Sequence, residues 1–207
     1  MDSSTGGYLQ PSDASPPLAD AGLEDLLQEM VVGLTGLPDT MVRPRWQPVA
    51  PQQPEADQDW CAIGIERVES DGGPAFVHQP AFVGGVAVGD GDVVATGDGP
   101  VQTNNPLGQD TLIRHKVITV LASFYGPNGQ RYAEMLQDGM SVPQSNETLR
   151  AQDAAIVSTD DEIIAAADLL NQTWVRRFDW KFKVRRKVTR QYPIRNLTSA
   201  PVALNQD

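Results

Sequence analysis

WVRRFDWKFKVRRKVTRQYPIRNL, residues 174–197, is the stretch whose reading decides the fold. From Phe178 to Val184 the alternation is strict: Phe178, Trp180, Phe182 and Val184 are apolar, while Asp179, Lys181 and Lys183 are charged. Period two with aromatic and β-branched residues describes a β-strand with one face in a core and one in water or against a partner. Arg176, Arg177, Lys181, Lys183, Arg185, Arg186, Lys187, Arg190 and Arg195 crowd this stretch against a single acid, Asp179. The chain carries 16 lysines and arginines and a net charge of −11, so this segment holds +8 (nine minus one) and the remainder −19. Such a split suits a chain that binds copies of itself, or one that binds a polyanion at a single surface.

The 207 residues suffice for one core domain plus appendages. No apolar run reaches the ~20 residues of a membrane span, and the acidic, polar start is no signal peptide. One cysteine, Cys61, excludes an internal disulfide and reads as a small buried hydrophobe suited to a reducing compartment. The negative net charge argues against non-specific coating of DNA.

Residues 1–17 are rich in Ser, Gly, Pro and Asp and lack periodicity. They read as disordered in isolation, or as an arm draped over a neighbouring subunit. We take residues 1–19 as this arm, 20–200 as the domain and 201–207 as a fraying tail. Leu23, Leu26, Leu27, Met30, Val31 and Leu34 recur at helical spacing, so a helix spans Asp20 to Leu34 with Asp20 as candidate N-cap and Gly36 and Pro38 beyond it. Four prolines bar Met41 to Pro54 from a central strand; it reads as an extended connection. Trp46 within it is either a peg in the domain's own surface or an interface anchor.

Asp59 to Glu69 alternates as a strand with Cys61, Ile63 and Ile65 inward. Asp71-Gly72-Gly73-Pro74 reads as a hairpin turn that pairs it with a strand beginning at Ala75. Residues 83–108 form a Gly- and Asp-rich loop insertion. Its Asp90, Asp92 and Asp98 do not make a calcium loop, because no closing Glu follows and no helices flank them. Thr111 to Tyr125 is a central strand with Ile118, Val120, Ala122 and Phe124 on one face. A helix from about Gly126 to Met140 turns Tyr132, Met135, Leu136 and Met140 inward, and a short helix follows with Asn146 as candidate cap. Ala154 to Ser158 reads as a strand, and Thr159 to Leu170 as helical.

Several motifs then come in order: Gly36-Leu37-Pro38; Arg43-Pro44-Arg45-Trp46-Gln47-Pro48; Trp60-Cys61-Ala62-Ile63-Gly64-Ile65; Ser123-Phe124-Tyr125-Gly126-Pro127; Gln137-Asp138-Gly139-Met140; Trp174-Val175-Arg176-Arg177-Phe178-Asp179; Arg185-Arg186; and Arg190-Gln191-Tyr192-Pro193-Ile194. The chain thereby resembles the neck terminator family of tailed bacteriophages. The resemblance implies an α+β ring subunit, a central and mostly antiparallel sheet with packed helices. It further implies a homo-oligomer, a hexamer, in the neck of the virion, assembled in the host cytoplasm. There the ring caps the tail tube, ends its polymerisation and joins the tail to the head connector. The implied partners are the tail tube protein, the connector or stopper protein, and the sheath protein if the tail is contractile. DNA passes through without specific binding, and no membrane is involved.

The basic residues Arg176, Arg177, Lys181, Lys183, Arg185, Arg186, Lys187 and Arg190, with Trp46, are the candidate subunit or tail interface. A nucleic-acid-binding module using residues 174–195 is the alternative, but its aromatics alternate away from the charges, where bases cannot stack on them. No phosphate loop, nucleophile motif, paired carboxylates or metal-ligand spacing points to an enzyme, a cofactor or a metal.

Overall fold

A computed structural model of the chain describes residues 8–12, 18–47, 54–83, 86–88, 108–159, 162–170 and 172–194. It divides into two units: residues 18–72 with 115–188, and residues 73–114 with the two chain ends. The fold class is the expected α+β, with a seven-stranded, mostly antiparallel sheet.

In the larger unit, helix α1 (Asp20–Thr35) buries Leu23, Leu26, Leu27 and Val31, the stripe its spacing prescribes. Asp20 is its first residue rather than its cap; Ala19 holds that place without a side-chain hydrogen bond. Gly36 ends the helix at φ +72°, where its N–H reaches the Val32 carbonyl, a conformation that a Cβ disfavours. Strand β1 (Val42–Pro44) is a short edge strand parallel to β2 (Trp60–Ser70), so part of the expected connection belongs to the sheet. Pro44 sits where a missing N–H is tolerated.

Strand β6 (Gly108–Tyr125) is central, with β2 antiparallel on one side and β9 (Thr173–Ile194) on the other. The decisive stretch therefore forms one 22-residue strand. Ile118, Val120, Ala122, Phe124, Cys61, Ile63, Trp180, Phe182 and Val184 face the helices and are all fully or almost fully buried. Helix α2 (Gly129–Ser141) contributes Ala133, Leu136 and Met140, and α3 (Glu147–Ala151) contributes Leu149. Asn146 does not cap α3 with its side chain; its Oδ1 accepts the Ile156 N–H at 3.0 Å instead. Gly126, at φ +99°, lets the chain turn against Asp59, since a Cβ there would lie 2.5 Å from the Gln58 carbonyl oxygen.

Two expectations are corrected. Thr159 to Leu170 is not helical: β7 (Ala154–Thr159) and β8 (Ile164–Leu170) both pair antiparallel with β9. The alanines of this run have high helix propensity, but propensity is worth only tenths of a kcal/mol per residue and yields to a ladder of seven cross-strand pairs. Nor does Asp71–Pro74 close a hairpin. Strand β3 (Ala75–Gln79) pairs with β6, Ala75 opposite Ile113, while β2 pairs with β6 only as far as Ser70 opposite Lys116. An 18-residue β6 is long enough to accept both strands in turn.

The smaller unit holds β3 with the first part of β6, and β4 (Ala81–Val83) pairs with β5 (Val86–Val88). His78 lies 2.8 Å from Asp110 across the β3–β6 pair, and the Ser12 N–H donates to the Gln191 carbonyl at 2.8 Å. Asp90, Asp92 and Asp98 fall outside the described residues, as does most of the expected insertion.

Cys61 is fully buried on the helix-covered face, and burial pushes its thiol well up, against a smaller opposing effect of the Ser123 backbone and Arg45. We expect the native protein to leave Cys61 unmodified by iodoacetamide at neutral pH and the urea-unfolded chain to react fully, as read by mass spectrometry. Labelling of the native chain would place the thiol on an accessible surface.

Candidate assembly interface

The other face of the larger unit's sheet is not a bare positive strip. A polar network crosses it from strand to strand. Arg45, just past β1, donates through Nη2 to Ser123 Oγ on β6 at 2.8 Å, and Ser123 donates to Asp179 Oδ1 on β9 at 2.5 Å. Asp179 also pairs with Arg177 Nη2 at 2.9 Å, and Arg177 Nη1 reaches Asp168 Oδ2 on β8 at 2.9 Å. The Tyr125 hydroxyl donates to the same Asp168 oxygen at 3.3 Å. Burial works against the Arg177 charge, but Asp179, Asp168 and Tyr125 outweigh it and hold the guanidinium above its ordinary value. Burial, aided by Asp168, raises the Tyr125 phenol in turn.

Local sequence explains how Arg45 gets there. Gly64 has no side chain, and the Arg45 stem lies over it so closely that a Cβ would come within 2.9 Å of Arg45 Cδ. Beside this network Trp60 stacks on Tyr125, its cross-strand partner, with ring centroids 4.2 Å apart and planes within 7°. Ala62 and Val175 complete a small apolar cluster. Arg45, Trp60, Ala62, Tyr125, Asp168 and Arg177 line a groove of about 640 Å³ together with Arg43, Pro44, Trp46, Gln47 and Pro54. A smaller hollow of about 200 Å³ shares Pro54, Trp60 and Tyr125 with it. Trp46 is 79 % exposed, so it is no peg in its own subunit.

The eight described basic candidates do not share one face. Arg177, Lys181, Lys183, Arg185 and Lys187 alternate onto the face of the network; Arg176, Arg186 and Arg190 take the parity of Trp180. Several already have acidic partners within the chain. Lys181 pairs with Glu66 at 2.8 Å and Arg185 with Asp71 at 2.6 Å. The β2–β6 register shifts between Ile65 and Arg67, which makes Glu66 a bulged residue free to turn toward Lys181. Lys183 and Arg186 are half-buried, Arg176 and Lys187 exposed, and Arg190 lies half-buried in the smaller unit. Arg195 falls outside the described residues.

Sequence reasoning missed Arg45, Ser123, Asp168 and Trp60 as members of this face. The lone acid Asp179 among nine bases was the one available signal. A network of fixed, mutually neutralised charges with an aromatic groove beside it can hold a protein surface in shape; it offers no activated nucleophile. Among the described residues no group of three His, Cys, Asp or Glu side chains could hold a metal ion. No helix there is long and apolar enough to cross a membrane.

Comparison with curated proteins finds no match. The family model described as phage neck terminator protein matches residues 21–207, nearly the whole chain, including every element of the groove and network. The chain belongs to the phage neck terminator family, structural proteins of the bacteriophage neck.

Proposed function

We propose that copies of this chain form a hexameric ring that caps the tail tube, stops its growth and presents a surface for the head connector. The observation that carries this reading is family membership across residues 21–207. The ring's partners are the tail tube protein on one side and the connector or stopper protein on the other, with sheath protein where the tail contracts. It works in the virion neck after assembly in the host cytoplasm, and DNA slides through it. An acidic chain whose arginines and lysines are partly neutralised by its own Glu66, Asp71, Asp168 and Asp179 supports passage rather than capture of phosphates. Burial of Trp180 and Phe182 speaks against the alternative of base stacking on this strand.

Trp46 and the groove behind it supply the kind of aromatic anchor on which interfaces concentrate their energy. We expect phage lacking this chain to accumulate filled heads without tails, beside tubes of uncontrolled length in electron micrographs. Trp46→Ala, at an exposed position, should change stability by less than about 0.5 kcal/mol yet impair joining. Tails of normal length on heads in the absence of the chain would overturn the reading.

A further inference from the structure

The helix layer of the larger unit leaves an apolar hollow open. It holds about 400 Å³ between α1 and α3, with Leu26, Met30, Leu34 and Leu149 in its lining beside the exposed Glu29 and Gly33. Gly33 stands within α1, although glycine is the poorest helix former after proline. The subunit's own packing does not call for it, since a Cβ there would meet nothing within 4 Å. A glycine at that place keeps the hollow open to something from outside.

On the sheet's other face stands an aromatic ring without a seat, Trp46, 79 % exposed. The two places carry opposite charge, all of it on described residues. The lining of the Trp46 groove includes three arginines and one aspartate, Asp168, which already pairs with Arg177. Arg45, next to Trp46, is exposed and gives a hydrogen bond to the neutral Ser123, with no carboxylate in ion-pair distance among the described residues. The hollow is lined by one acid and no base. Around it residues 18–42 hold Asp20, Glu24, Asp25, Glu29 and Asp39 and neither lysine nor arginine. Asp25 and Glu29 are exposed and make no ion pair among the described residues. On α3, Glu147 and Arg150 cancel.

We propose that Trp46 of one copy docks in the α1–α3 hollow of a second copy, with Arg45 beside it meeting Glu29. The contact rests on the ring reading and names the surfaces that build it. A hollow of this size lies within the roughly 300–1,000 Å³ of sites that enclose small organic groups, so an indole fits. Met30 supplies an adaptable thioether against the ring. Hollow and tryptophan lie on opposite faces of one sheet, so each copy offers both halves. The association is head-to-tail, the heterologous kind that closes into a ring by rotation. Arginine groove against acidic helix sets the direction and disfavours helix-to-helix pairing.

Paired cysteines test it in assembled particles, with Trp46 left in place. Gln47→Cys stands next to the tryptophan and Thr148→Cys in the lining of the hollow, and buried Cys61 supplies no competing thiol. Particles built with the double variant are treated with a short bismaleimide and run on denaturing gels. The expected result is a ladder of covalent multimers above the dimer, absent from either single variant. Gly33→Met, which puts a side chain into the hollow, should keep the wild-type urea midpoint or raise it and yet be incorporated at least tenfold less. A double variant incorporated normally but without the ladder, a ladder from a single variant, or normal incorporation of Gly33→Met overturns the contact and leaves the neck reading standing. If the wild-type chain is itself missing from joined particles, the neck-ring reading falls, and this contact with it.

Discussion

Trp180→Ala and Phe182→Ala are each expected to cost about 3–5 kcal/mol, the usual range for emptying a large aromatic site in a core. Both rings are fully buried, and they pack on each other with centroids 5.5 Å apart. Around them stand Val184, Phe124 and the inner residues of α1, α2 and α3. A domain's whole stability is about 5–15 kcal/mol, so either change consumes much of it. Soluble yield should fall sharply, and any soluble fraction should unfold at much lower urea. Replacing Trp46, on the exposed side, should leave the urea midpoint unchanged. Wild-type midpoints for the two core variants would mean that the sheet is covered by something other than these helices.

Asp179→Ala has the next largest expected effect, about 2–3 kcal/mol, because it strands partners that have already lost water. Ser123 is fully buried and gives its hydroxyl proton to Asp179, while Arg177 would lose one of its two carboxylate partners. The loss should be largely recovered by Arg177→Met with Asp179→Leu, which removes both charges at once, since a buried ion pair costs much of its attraction in desolvation. Urea titrations of the single and double variants give the comparison. An Asp179→Ala midpoint equal to the wild type would show that the network is a bystander to folding.

Strands and helices with a complete, uninterrupted period were legible from the residues alone. Phe178 to Val184 and the stripe of α1 each repeat often enough that one face must be buried, and Ile118 to Phe124 reads as a central strand covered on both sides, where Leu121 and Ser123 are buried as well as Val120 and Ala122. Thr159 to Leu170 misled because its alanines carry no pattern of their own; the segment becomes a strand only in the presence of β9. Asp71-Gly72-Gly73-Pro74 misled because turn chemistry reports a change of direction locally and says nothing about the partner that follows. The candidate interface was legible as a count of charges but not as a surface. Glu66 and Asp71 are more than a hundred residues from the bases they meet, and Asp168 sat in the misread segment. Gly64, the vacancy that seats Arg45, looked like any small residue in a strand.

The register of the central strands also governs how quickly this molecule can form. Trp60 must find Tyr125, and Ser70 must find Lys116, across long intervening stretches of chain. Each such meeting spends loop-closure entropy before any ladder repays it. Sheets of this connectivity fold on the order of milliseconds to seconds, against microseconds for helical bundles. During that interval β8 lacks the β9 ladder that pairs with it. Newly made chains are then most exposed to mispairing at high concentration, and slow synthesis or lower temperature should raise the fraction that reaches the native state.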